Sequence, residues 1–161
     1  MAEIGEFGID SQGLGDLTVR VAATADIEAV SGLDERITGL AKPDYWRASF
    51  ANFSGRPDGY FLIAEADGRF CGFIIGEVRA WEFGSSPCGW IFAIGVDPGQ
   101  RLRKVGSRLF ATLTQRMRAD GVKTVRTMLG RDDALNMSFF RSQGMMGGPF
   151  IQLEMPLFNH G

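Results

Sequence analysis

Four basic side chains, Arg101, Arg103, Lys104 and Arg108, crowd around Gly106 in the stretch GVDPGQRLRKVGSRLF (95–110). An apolar run precedes them and a helical pattern follows, so they stand at a strand-to-helix turn. The first backbone N–H groups of a helix have no partner inside it, and their partial positive charge attracts an anion. Basic side chains there oppose the helix dipole, so stability alone does not account for them. The chemistry that fits is phosphate binding, with Gly106 leaving room where a ligand or the sheet comes close. A solvated basic helix start is the plainer alternative. Neither G-x-x-x-x-G-K-[ST] nor G-x-G-x-x-G after a first strand occurs, which excludes the two familiar nucleotide loops.

Other reactive groups are few. His160 is the only histidine, so a Ser-His or Cys-His pair would have to run through the C-terminal tail. Cys71 and Cys88 have neither the spacing of a zinc site nor that of a disulfide framework. They read as small buried apolar residues, and a reducing cytoplasm suits them. No metal is expected. Among the carboxylates, Glu77 is the candidate proton acceptor. Period two places it on the strand face of Phe73 and Ile75, an apolar setting that would suit the role. An ordinary exposed strand glutamate is the competing reading. Glu82 and Glu154 are weaker candidates.

These groups need a frame, and the pattern along the chain supplies one. Residues 1–16 are rich in glycine and acid and are expected to be a flexible segment. LTVRVAA (17–23) alternates as a strand, and Thr24 or Asp26 opens a helix. Pro43 starts a second helix, closed by Ser54-Gly55. Strands follow at 59–66 and 69–81, joined by Asp67-Gly68, a strong two-residue hairpin signal. A further strand covers 88–96, apolar on both faces as in a central position. Gly95 interrupts it, which suggests a bulge or a close backbone approach, with a packing glycine in a plain core strand as the alternative. A long helix runs from about Arg103 to Ala119, then a strand over 124–130 and a short helix over 133–144. A strand at 150–158 is expected to close the chain. The order β-α-α-β-β-β-α-β-α-β predicts an α+β fold with a mixed sheet. The tightly joined strands are antiparallel, and one crossover makes 88–96 and 124–130 parallel.

The 161 residues fit one domain, expected over 17–158, with 159–161 as a tail. Apolar residues make up 45% and charged residues 22%, as in a soluble globular protein. A net charge of −2 argues against a nucleic-acid partner. The apolar runs are too short for a membrane span, and the N-terminal stretch lacks the pattern of a signal peptide. A cytoplasmic location is expected.

The basic turn resembles motif A of the GNAT superfamily of N-acetyltransferases, V-x-P followed by Q/R-x-x-G-x-G/A. Val96-Asp97-Pro98 matches its first part, and Arg101-Leu102-Arg103-Lys104-Val105-Gly106 its second, with Lys104 in place of the first glycine. The order of elements over 17–158 is also that of the superfamily. DALNMSFFRSQGM (133–145) partly resembles a second segment, N-x-x-A-x-x-F-Y-x-x-x-G-F. Asp133 stands there for Asn, Asn136 for Ala and Phe140 for Tyr.

The resemblance implies an acetyltransferase using acetyl-CoA as co-substrate. Backbone amides of Arg101, Leu102, Arg103, Lys104, Val105, Gly106 and Ser107 would cradle the pyrophosphate. Backbone groups of Ile94 and Val96 would pair with pantetheine, and Asn136 and Phe140 would lie along the cofactor. Lys104 requires a backbone conformation other than that of glycine at its position. Phe140 cannot supply the proton that the family's tyrosine often gives the departing thiolate. The acceptor would be a primary amine on a small molecule or peptide, attacking the thioester directly in a ternary complex. Tyr45, Trp46, Phe50, Trp81 and Phe83 make the acceptor region aromatic, although core packing explains most such residues. A non-catalytic acyl-CoA-binding or sensor module is the alternative. Assembly into a homodimer stays open.

Overall fold

A computed structural model describes residues 16–80 and 82–158, with the backbone alone over 101–103. Five strands form one sheet in the order β1-β2-β3-β4-β5. They are β1 (Leu17–Val21), β2 (Gly59–Ala66), β3 (Arg69–Arg79), β4 (Cys88–Val96) and β5 (Val125–Thr127). The first four pair antiparallel, and β4 pairs parallel with β5. Helices α1 (Ile27–Thr38) and α2 (Pro43–Phe53) follow β1, and α3 (Val105–Ala119) makes the crossover from β4 to β5. The expected α+β class and mixed sheet are both present. The chain divides at Met128 and Leu129 into two compact units. The second contains helix α4 (Ala134–Ser142).

Local chemistry accounts for the joins. Asp67 and Gly68, at φ 53° and 74°, make the hairpin turn between β2 and β3. Pro43 opens α2, and Gly39 ends α1 in the left-handed conformation. One face of the sheet packs against α1 and α2 through Val30, Leu33, Trp46, Phe61, Phe73 and Ile75. Trp46 ties the two helices together as well, donating to Asp34 Oδ2 at 2.9 Å. The other face takes α3. Side chains added at Gly76 and Gly89 would strike Met117, so these glycines let the helix approach the sheet closely.

The expected strand at 150–158 does not form. Those residues carry no regular structure, and Phe150, Ile151, Leu153, Met155, Leu157 and Phe158 are exposed. Alternation describes what a segment offers a neighbouring strand, but a strand exists only through its ladder of hydrogen bonds. The expected flexible segment, apart from Asp16, and the tail 159–161 lie outside the described residues.

Arg20 on β1 joins three elements. It donates to both carboxylate oxygens of Asp26, at 2.8 and 2.9 Å, and to Glu65 of β2 at 2.8 Å. Asp26 also accepts from the Ala23 N–H at 2.7 Å, which fixes the entry to α1. The Arg20 hydrogen bonds hold the Asp26 carboxyl below its ordinary range. A carboxyl depressed by folding stabilises the protein above its unfolded pKa, and that contribution is lost as pH falls through the folded value. Asp26→Asn should therefore cost about 1–2 kcal/mol at neutral pH, discounted for the partly exposed arginine. Urea titrations of both proteins should show the gap closing as pH drops below 3.8.

Candidate functional site

The site begins where β4 loses a neighbour. Parallel pairing joins Gly89, Trp90 and Ile91 to Val125, Arg126 and Thr127, and stops there. Strand β4 continues through Val96, where among the described residues it pairs with β3 alone. The threonine at the end of β5 seals the junction, Thr127 Oγ1 donating to the Ile91 carbonyl at 3.0 Å. Residues 92–96 thus present an open strand edge.

A bulge decides which backbone groups line that edge. The register passes from Ile75↔Ala93 to Gly76↔Ile91, leaving Phe92 as the extra residue. The Gly89 N–H reaches the Thr124 carbonyl at 2.8 Å, so Gly89 and Ile91 face β5. The Asp97 N–H reaches the Cys71 carbonyl at 2.8 Å, so Asp97 and Gly95 face β3. Alternation then turns the N–H and C=O of Ile94 and Val96 toward the open edge. Without the extra residue those groups would face β3.

Gly95 is the packing glycine of the plainer reading and not a bulge. Its pairing with Phe73 is regular, and an added Cβ would lie 2.5 Å from the Phe73 ring. The glycine makes room for a core aromatic, and the bulge falls at Phe92.

The open edge runs into the basic turn. Asp97 accepts from the Gly99 N–H at 2.9 Å and starts a 3-10 turn over Pro98–Arg103. Lys104 then stands at φ 58° and ψ 30° before α3 begins, its own side chain making no cap hydrogen bond. The expectation of a non-glycine conformation at Lys104 is wrong. The reversal from the 3-10 turn into α3 requires the left-handed region, and a lysine occupies it. Val105 and Gly106 are buried in the first helical turn, while the side chains of Lys104 and Arg108 are exposed. The Arg108 N–H already closes the helix on the Lys104 carbonyl at 3.0 Å. The backbone of Arg101, Leu102 and Arg103 forms the end of the 3-10 turn.

Glu77 is on β3 in the expected parity with Phe73 and Ile75, but its surroundings are ionic. Its register partner is Gly59, at the end of the turn that carries Arg56 and Asp58. Arg56 Nη2 lies 3.7 Å from one carboxylate oxygen and Arg79 Nε 3.4 Å from the other. The apolar cover of Phe73 and Ile75 ends before this point. Sequence reading missed Arg79, although its spacing of two from Glu77 sets both on one face. The Arg79 guanidinium lies over the rings of Trp90 and Phe92, 5.2 and 5.6 Å from their centroids. Glu82 is exposed, 3.2 Å from Arg79, and Glu154 is exposed in the second unit.

The expected aromatic group is scattered. Trp46 is core, Tyr45 and Phe83 are exposed, and Phe50 packs edge-on against Phe61. Trp81 lies outside the described residues. Cys71 and Cys88 are both buried.

In the second unit, Asp133 caps α4, accepting from the Asn136 N–H at 3.1 Å and from its side-chain amide at 2.8 Å. Asn136 is thus committed to its own helix start through that amide. Phe140 is buried and meets Phe139 edge-on, with centroids 5.1 Å apart.

Residues 27–145 match the model of the acetyltransferase (GNAT) family. The chain belongs to that family. It is 29% identical over 103 residues to the L-2,4-diaminobutyric acid acetyltransferase of Nocardia farcinica, covering 64% of this chain and 51% of that protein. It is 33% identical over 87 residues to the mycothiol acetyltransferase of Sanguibacter keddieii, covering 53% and 28%. The chain thus spans about half the length of the first relative and less of the second. Among solved structures, the aminoglycoside N-acetyltransferase AAC(6')-Iy in complex with CoA superposes with a TM-score of 0.77 at 19% identity, over 89% of this chain and 96% of that one. A transcriptional regulator from Bacillus halodurans C-125 superposes with a TM-score of 0.73 at 15% identity, over 88% of this chain and 100% of that one. These likenesses show the fold. No described helix is long and apolar enough to cross a membrane.

A lysine in the left-handed region carries strain that glycine does not. Lys104→Gly should raise the stability of this family member by about 0.5–1 kcal/mol, the gain being limited by glycine's greater freedom when unfolded. The midpoint of urea unfolding measures it.

Proposed function

We propose that this protein transfers an acetyl group from acetyl-CoA to a primary amine, with both bound at once. The open edge of β4, running from Phe92 into the amide-rich turn before α3, carries the reading. Family membership supports it. One relative is named for diaminobutyric acid and one structural neighbour for aminoglycosides, acceptors so different that they support the class of reaction and not one acceptor.

In this reading the pantetheine amides complete the edge that β5 leaves, exchanging hydrogen bonds with Ile94 and Val96. The pyrophosphate lies against backbone N–H groups between Arg101 and Ser107, with Lys104 and Arg108 adding charge. The thioester then falls near Phe92, where the strands part. A backbone N–H there stabilises the oxyanion that develops as the amine attacks.

The neutral amine nitrogen attacks the thioester carbonyl carbon. The C–N bond forms, the C–S bond breaks and CoA leaves as the thiolate; the proton that the nitrogen gives up in becoming an amide passes through water to that thiolate. The enzyme's first contribution is holding the two reactants together. A lysine-like amine is protonated at neutral pH, and removing that proton costs roughly 4–5 kcal/mol. Glu77 is the group we assign to receive it, directly or through a water. Phe140, lacking a phenolic proton, favours a second reading as a non-catalytic acyl-CoA-binding or sensor module. The loss of a general acid is a rate effect of about 10²–10⁴-fold and does not forbid turnover.

Incubation with acetyl-CoA and an amine panel separates the two readings. Release of free CoA dependent on the amine supports transfer, and tight binding without release supports the module. Calorimetry should show acetyl-CoA affinity falling at least tenfold in Gly106→Glu and weakening with added salt. Glu77→Gln should lower turnover by about 10²-fold at neutral pH with little change in acetyl-CoA affinity. That loss should shrink as pH rises and free amine becomes abundant.

A further inference from the structure

Three polar groups beside the point where the strands part have no hydrogen-bond partner among the described residues. The Glu77 carboxylate, largely buried at 16% exposure, has the two ion pairs described above but accepts no hydrogen bond. Arg79 meets Glu77 and Glu82 through the same Nε, and neither contact is aligned as a hydrogen bond. The Arg79 side chain is 39% exposed, so its two Nη groups make no hydrogen bond to a described residue and are open to solvent or a ligand. The indole Nε1 of Trp90 is buried without a partner. Trp90 is the register partner of Glu77, and Ile91, where pairing with β5 stops, is the next residue.

Buried polar groups are normally satisfied, and among these three the Trp90 indole is the one fully buried and unsatisfied, so it calls for an explanation. The site holds an acceptor at Glu77 and donors at Arg79 and Trp90. A ligand that satisfies it must bring a donor and an acceptor of its own. An ammonium fits the carboxylate, and a carboxylate fits the planar guanidinium, which takes such a group with two parallel hydrogen bonds. The rings of Trp90 and Phe92 hold the guanidinium plane in place. A purely cationic amine would bring no acceptor for the Arg79 Nη groups or the Trp90 indole, which are donors only.

We infer that the acceptor is a small amine that also carries a carboxylate, an amino acid or a close relative, with Arg79 as the residue that selects the carboxylate. This rests on the acetyl-transfer reading and narrows it.

The test uses α,ω-diamino acids of increasing chain length, each beside its carboxamide and its decarboxylated diamine, with CoA release measured under acetyl-CoA. For at least one chain length the carboxylate form should exceed its carboxamide in kcat/KM by tenfold or more, mainly through KM. Arg79→Gln should reduce that ratio below about threefold. Equal rates for carboxylate, carboxamide and diamine at every length would overturn the inference while leaving acetyl transfer standing. So would an unchanged ratio in Arg79→Gln.

A second measurement does not need turnover. The indole N–H resonance of Trp90, assigned by its loss in Trp90→Phe, is followed while the same compounds are titrated into the CoA complex. A shift that saturates with a diamino acid and not with its carboxamide supports the site even if no CoA is released, in which case transfer alone fails. No shift with any of them, together with no release, overturns both.

Discussion

Strand β4 has two neighbours over Gly89–Ile91 and one beyond, and that loss of a partner organises the rest of the molecule. A buried parallel strand ordinarily has both edges bonded, because an unpaired N–H or C=O is costly away from water. Here β5 ends at Thr127, whose hydroxyl closes the last rung. The bulge at Phe92 then rotates β4 so that Ile94 and Val96, rather than their neighbours, face the gap. One inserted residue sets the direction of every backbone group from there to the basic turn. It also leaves Phe92 half exposed, beneath the Arg79 guanidinium.

The supporting parts are arranged to keep that edge fixed. Helix α3 lies close on the sheet because Gly72, Gly76 and Gly89 present no side chains to it. On the other face the aromatic cluster of Trp46, Phe61 and Phe73 holds α1 and α2, and Gly95 yields its space to Phe73. The core is thus packed on both sides of β3 and β4, and the polar groups gather beyond its end, where the turn at 54–58 brings Arg56 against Glu77.

Much of this was legible in the sequence. Periodicity located the helices and the first five strands, Asp67-Gly68 specified the hairpin, and the basic cluster with V-x-P marked the turn. What escaped depended on contacts between segments. At Gly95 the sequence leaves a bulge and a packing glycine both open, and only the position of Phe73 decides between them. Lys104 looked incompatible with a glycine conformation because sequence registers the side chain and not the turn that strains it. The alternation at 150–158 promised a strand, but alternation cannot provide a partner. Glu77 shares a face with Phe73 and Ile75 as parity required, yet parity says nothing about Arg56, which arrives from another turn. Arg79 was legible by the same parity and became significant only with Trp90 and Phe92 beneath it.

The central claim is that the open edge of β4 is the seat of the pantetheine arm. Amide hydrogen exchange at Ile94 and Val96 tests it most directly, comparing the free protein with complexes of CoA and of adenosine 3′,5′-bisphosphate, which lacks the arm. The account predicts slowed exchange at both amides with CoA and no change there with the bisphosphate. Equal exchange at Ile94 and Val96 in the free and CoA-saturated protein would contradict it.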